Sequence, residues 1–131
     1  MTVAAESAVL DTSAVLAWLH GEPGADLVHP LLPTAIMSAA NWSETWQKLH
    51  QHGVDADRAT RRLRTLGVRV EPVTEADAIT AASLWTRTRA AGLSLGDRCC
   101  LALGARLDLP TVTADIAWAG LDLGIPVRAI R

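Results

Sequence analysis

Five short apolar runs punctuate this chain, and longer segments of helical pattern separate them. The runs are SAVL at 7–10, TAIMS at 34–38, VRVEPV at 68–73, TVT at 111–113 and IPVRAI at 125–130. Runs of this length, bounded by turn residues, suit strands buried on both faces better than they suit helices. Between them, Thr12 and Ser13 are placed to cap a helix over 14–19, and Gly21, Pro23 and Gly24 break the chain before a short helix around 25–32. A helix over about 39–52 ends at Gly53, and another over 55–67 closes on Gly67. Thr74 and Asp77 form a capping-box variant ahead of a helix over 78–92. SLGDRCCLALGARL, 94–107, is apolar nearly all round and reads as a central buried helix. Strands alternating with helices imply parallel pairing, so the expected fold is α/β: a three-layer α/β/α sandwich with a mainly parallel central sheet, in one domain over 1–131.

Composition excludes some functions. Twelve Lys and Arg stand against fourteen Asp and Glu, a net charge of −2, which argues against gripping nucleic acid by bulk charge. It leaves open an enzyme that handles nucleic acid through bound metal ions. Cys99 and Cys100 are adjacent, poorly placed to bridge each other or to chelate as a CxxC pair, and read as small buried hydrophobes in a reducing, cytoplasmic setting. The N-terminus shows no basic leader, and no stretch of about 20 apolar residues suggests a membrane span.

Against this apolar background, Asp11 stands out at the end of the first run. An unpaired buried carboxylate is costly, so it needs either a capping role or company. In open parallel sheets ligands bind at the carboxyl ends of the strands. Asp11 directly follows the first strand, Asp115 follows the fourth in TVTAD, and Asp97 and Glu44 lie early in helices that begin near that edge. Carboxylates grouped this way repel unless protons or cations offset the charge, and hard Mg²⁺ or Mn²⁺ ions favour such oxygen ligands. A metal held there suits hydrolysis of a phosphodiester. Each acid also has a plainer reading: Asp11 as a helix cap, Asp97 as a partner of the helix dipole, Asp115 as a turn residue.

The residues VLDTSAVLAWL, the glutamate in SAANWSETW, the aspartate in SLGDRCCLALGARL and the closing TVTAD resemble the four acidic motifs of PIN-domain ribonucleases. In length and order, residues 7–130 resemble the toxin half of VapBC-type toxin–antitoxin pairs. The resemblance implies a metal-dependent endoribonuclease with Asp11, Glu44, Asp97 and Asp115 as its acids, and Ser13 and Thr113 as polar side chains near the metal. It further implies Mg²⁺ or Mn²⁺, an RNA substrate, a VapB-type antitoxin and a homodimer. The chain departs from the family pattern at Trp118 in TADIAW, where phenylalanine is frequent, and at the small Gly96 before Asp97. Both bear on pocket shape.

Spacing alone reads Glu44 differently. Trp42, Trp46 and Leu49 make an apolar stripe at helical period, and Glu44 points away from it, which bare pattern reads as solvent. One reconciliation turns the Trp stripe to a dimer mate or antitoxin and Glu44 to the pocket. Trp18 and Trp85 read as core. His50 and His52 read as surface residues. Arg58, Arg61, Arg62, Arg64 and Arg69 read as a solvated face, with phosphate contact as the alternative. Two other functions compete: a non-catalytic interaction domain of the same fold, and a receiver-type acidic Mg²⁺-binding domain. The latter needs a well-placed lysine, whereas the only lysine, Lys48, sits in a helix beside Glu44.

Overall fold

The computed structural model describes residues 7–131. Residues 1–6, on which the expected absence of a basic leader mainly rests, lie outside the described residues. The sheet strands are β1 (Val9–Leu10), β2 (Ile36–Ser38), β3 (Arg69–Glu71), β4 (Thr111–Thr113) and β5 (Val127–Ala129). The helices are α1 (Thr12–Leu19), α2 (Ala25–Val28), α3 (Ala39–Gln51), α4 (Ala56–Thr65), α5 (Glu75–Ser83), α6 (Trp85–Thr88) and α7 (Leu95–Leu107). Short 3₁₀ segments follow at His29–Thr34, Arg89–Ala91 and Ile116–Gly120.

The strands pair in parallel in the order β3-β2-β1-β4-β5. The chain therefore works outward from β1 to one edge and then returns to β1's other side with β4. That reversal opens a crevice between the carboxyl ends of β1 and β4, the place where open α/β sheets bind ligands. Successive residues alternate across the sheet. Leu10 and Met37 pack with Val15, Val28, Leu32 and Leu63 on one side. Val9 and Ile36 pack with Leu84, Cys100, Leu101, Leu103 and Trp118 on the other. Two large apolar clusters, one per face, with a small third one of Ala81, Cys99 and Ala102, make the three-layer α/β/α sandwich expected from the sequence.

Several local expectations differ. Helix α1 starts at Thr12, so Thr12 and Ser13 lie inside its first turn and Asp11 occupies the cap position. The strand expected from residue 34 begins at Ile36, because the proline-containing 3₁₀ segment runs to Thr34. The helix expected over 78–92 starts earlier, at Glu75, and breaks at Leu84. There the Ser83 and Thr88 hydroxyls donate to the carbonyls of Thr80 and Leu84, at 2.8 Å each. The break leaves Leu84 buried but Trp85 48% exposed under the Arg89 guanidinium, so Trp85 is not core. Trp18 is half-buried against the core, and the fully enclosed tryptophan is Trp118. The capping box of Thr74 and Asp77 forms with both reciprocal bonds. Gly67 (φ 118°) lets α4 close directly against Pro33, where a Cβ would lie 2.6 Å from backbone atoms.

Both cysteines are free and buried in α7. Burial pushes their thiols up, Cys100 well above the usual range. Among the described residues no helix is long and apolar enough to cross a membrane.

Candidate active site

Asp11 leaves β1 at the crevice and is only 3% exposed. Its backbone carbonyl receives the amides of Ala14 and Val15, but its side chain makes no capping bond. Instead Oδ2 accepts from the Ser13 hydroxyl at 2.6 Å and from the Thr113 hydroxyl at 3.1 Å. Those hydroxyls are fixed in turn: Ser13 Oγ accepts from the Ala114 amide at 2.9 Å, and Thr113 Oγ1 from the Asp115 amide at 3.1 Å. The β1 and β4 ends are thus laced together through one carboxylate oxygen. The other, Oδ1, is buried without a partner. A polar atom in that state is costly and uncommon in a folded chain.

Glu44 lies in the second turn of α3 and is half-buried. Its Oε1 accepts from Asn41 Nδ2 at 3.0 Å and from the Thr12 hydroxyl at 3.4 Å. The same Asn41 amide donates to the Gly96 carbonyl at 3.2 Å, which joins α3 to the start of α7. A Cβ on Gly96 would lie 2.7 Å from Glu44 Cδ and overlap its carboxylate, so the missing side chain is what lets Glu44 settle there. The buried face of α3 is Asn41, Thr45 and Leu49. Trp42 and Trp46 are half-buried, Trp42 against the core beneath Arg64 and Trp46 beside His50. The reading of Glu44 as a solvent residue is therefore overturned. Helix α3 turns polar side chains inward because its inner face meets the polar crevice.

Asp97 opens α7 as the third residue of a capping box, Oδ2 accepting from the Ser94 amide at 2.8 Å. It caps and faces the crevice at once, and its charge acts on both other acids. Asp11 is pushed up to about 6, chiefly by burial. The Ser13 and Thr113 hydrogen bonds offset part of this, while the Asp97 and Glu44 carboxylates add to it. Glu44 is also raised, by burial first and then by Asp97, against the help of Asn41, Lys48 and Thr12. Asp115 is exposed and caps the following 3₁₀ turn, Oδ1 accepting from Ala117 at 3.0 Å. It joins the group only through Thr113, at the same sheet edge.

Asp11, Glu44 and Asp97 thus share one electrostatic neighbourhood and Asp115 sits at its rim. Among the described residues, no three His, Cys, Asp or Glu side chains stand close enough, as placed, to hold a metal ion together. Glu44 and Asp97 are each held back by bonds at their own helices. The donor set still suits a hard divalent cation: it consists of carboxylate oxygens, and Asp11 Oδ1 is buried, fixed and unclaimed. The sequence marks Gly96 as bearing on pocket shape, but it does not mark Thr12 or Asn41 as parts of this site. The Asn41–Glu44 spacing of three residues on one helix was the available signal.

An acidic crevice at the switch point of a parallel sheet marks an open α/β protein whose candidate site lies at the carboxyl ends of its strands. The sequence profile of the PIN domain matches residues 8–122, and the chain belongs to that family. No protein of curated function matches it by sequence. Solved structures match its fold. A toxin–antitoxin complex from Klebsiella pneumoniae aligns at TM-score 0.76 and 20% identity, over 95% of this chain and 98% of that one. The sarcin–ricin-loop-cleaving toxin VapC20 of Mycobacterium tuberculosis aligns at 0.64 and 21%, over 87% and 95%. FitAcB from Neisseria gonorrhoeae aligns at 0.69 and 20%, over 93% and 96%.

Proposed function

We propose that the chain is a metal-dependent endoribonuclease that serves as the toxin of a toxin–antitoxin pair. The observation that carries this reading is Asp11: a buried carboxylate, clamped through one oxygen by Ser13 and Thr113, with the other oxygen unclaimed beside Glu44 and Asp97. Asp11, Asp97 and Asp115 would hold Mg²⁺ or Mn²⁺, with Glu44 orienting the attacking water or a second ion. The ion would supply charge stabilisation for in-line phosphodiester hydrolysis. The chain's own residues set the stage. Ser13 and Thr113 hold Asp11 in one rotamer, and Asn41 and Thr12 hold Glu44; the raised affinity of Asp11 and Glu44 for protons comes first from burial and then from the repulsion of Asp97, which a cation would relieve. A VapB-type antitoxin as partner is supported by the toxin–antitoxin complexes among the structural neighbours. The exposed Trp85 is the tryptophan most available to a homodimer mate. A purely interaction-domain role expects an exposed Glu44, and Glu44 is half-buried and hydrogen-bonded.

The test is thermal unfolding of wild type and Asp97→Asn with and without Mn²⁺, alongside cleavage of single-stranded RNA. Asparagine can still accept the Ser94 amide bond, so the cap survives. Mn²⁺ should raise the wild-type midpoint by binding the folded state, and the variant should lose most of that response together with cleavage. Equal responses in both proteins, with RNA left intact, would overturn the reading.

A further inference from the structure

The acid cluster does not end at a wall. Beside Ser13 the surface drops into a cavity of about 510 Å³ that runs past His20 to Lys48 and His52, with Arg131 on its rim. A second cavity of about 510 Å³ shares His20 and continues along α4 to Arg58 and Arg62. The two meet at His20, so together they form one trough that starts at Ser13, the hydrogen-bond partner of Asp11, and crosses the C-terminal ends of α1 and α3.

Its charge is opposite to that of the chain. The net charge of the whole is −2, yet the trough is net positive. Arg131 is balanced by Glu22 at 3.5 Å. Asp55 spends its carboxylate on capping α4 through the Arg58 amide. That leaves Lys48, Arg58 and Arg62 as its working cations. Lys48 is the only lysine of the chain, lies one helical turn beyond Glu44 and partly offsets the repulsion there, so the positive trough begins where the acids stop. Arg62 is braced at 4.7 Å over the Trp18 ring, which limits its motion. The His20 and His52 rings, 6.5 Å apart and exposed, offer flat faces along the way.

We propose that this trough is the track for the RNA strand on one side of the cut, with Lys48, Arg58 and Arg62 meeting successive phosphates. The inference rests on the nuclease reading. A negative site for the scissile phosphate must be flanked by positive charge if a polyanion is to approach at all, and single-stranded nucleic acid is held by such grooves together with ring faces. Continuity with Ser13, and through it with Asp11, favours a strand passing through the site over an acidic protein segment docked elsewhere.

The experiment uses the full chain carrying Asp11→Asn, so that RNA is bound and not cut, and a fluorescein-labelled mixed-sequence oligoribonucleotide of twelve nucleotides as the probe. Affinity is measured against salt for this protein and for versions adding Lys48→Gln, Arg58→Gln, Arg62→Gln, or all three. Arg87→Gln, an exposed arginine on α6 outside the trough, is the control. Each trough substitution should weaken binding several-fold and lower the slope of log affinity against log salt by about 0.7. Arg87→Gln should change neither. In the wild-type background the Arg58→Gln/Arg62→Gln double variant, which leaves Lys48 beside Glu44 in place, should raise KM with kcat largely kept. Unfolding midpoints confirm that each variant is folded. If trough and control variants bind alike while the wild type cleaves RNA, the track is wrong and the nuclease reading stands. The trough charges would then suit an acidic protein partner. If the wild type neither binds nor cleaves RNA, the nuclease reading falls and takes the track with it.

Discussion

Two aspartates of this protein are equally hidden, Asp11 and Asp77 at 3% exposure each, and their surroundings treat them oppositely. Asp77 also meets a burial penalty, but it is outweighed. The Arg106 Nε lies 3.0 and 3.2 Å from its two oxygens, and the Thr74 amide donates at 3.2 Å and completes a capping box. Its carboxyl is held below the usual range. Asp11 receives two hydroxyls on one oxygen and nothing on the other, faces two further carboxylates, and is pushed up to about 6. A buried charge that is fully paired does structural work. One left half-paired beside like charges costs stability, and its retention points to function.

The comparison can be broken most sharply by neutralising each aspartate. Asp11→Asn should reduce RNA cleavage below detection yet raise metal-free stability by roughly 1–3 kcal/mol, since the amide can offer its oxygen to Ser13 and Thr113 without the charge. Chemical denaturation and a gel assay on the same preparations check both halves. Asp77→Ala should do the reverse, costing about 2–4 kcal/mol by stranding Arg106 and removing the cap while the surviving folded protein still cuts. A destabilised Asp11→Asn, or an inactive but stable Asp77→Ala, would reverse the two assignments.

Acid titration sharpens it. The folded-state pKa of Asp11, about 6, exceeds its unfolded value of 3.8, so its protonation favours the fold. The stability gap between Asp11→Asn and wild type should therefore shrink as pH falls from about 7 to about 4. For Asp77 the folded value is depressed, so its contribution should hold down to about pH 4 and fade only below, as pH falls through the folded value. The smallest effect is expected at Gly96→Ala. Its Cβ would push the Glu44 carboxylate aside, lowering the cleavage rate with a change in midpoint much smaller than that of Asp77→Ala. An unchanged rate would show that the placement of Glu44 is immaterial.

Much of the fold was legible because it rests on periodicity. The five apolar runs become five parallel strands, and the apolar segment at 94–107 becomes α7. What failed did so where side chains compete with that pattern. The turn at Leu84 that separates α5 from α6 leaves no mark in an apolar count. The stripe of Trp42, Trp46 and Leu49 misled because the α3 surface beside the crevice is filled by Asn41 and Thr45 instead, each fully buried. A helix facing a polar site inverts the usual inside-out rule. At the acids, chain position placed Asp11 and Asp97 at one edge, but it is the folded packing that rests Glu44 on Gly96 and has Asp115 spend an oxygen on its own turn.

The adjacent thiols of α7 give this chain a built-in clock. Cys99 and Cys100 are its only cysteines, both are buried, and burial keeps them in the unreactive thiol form. A thiol reagent in solution can reach Cys100 only when α7 lifts from β1 and β2, so the rate of modification counts those openings. Because Asp97 is two and three residues upstream on the same helix, that count also reports how often the acid edge comes apart, with no label added to the protein.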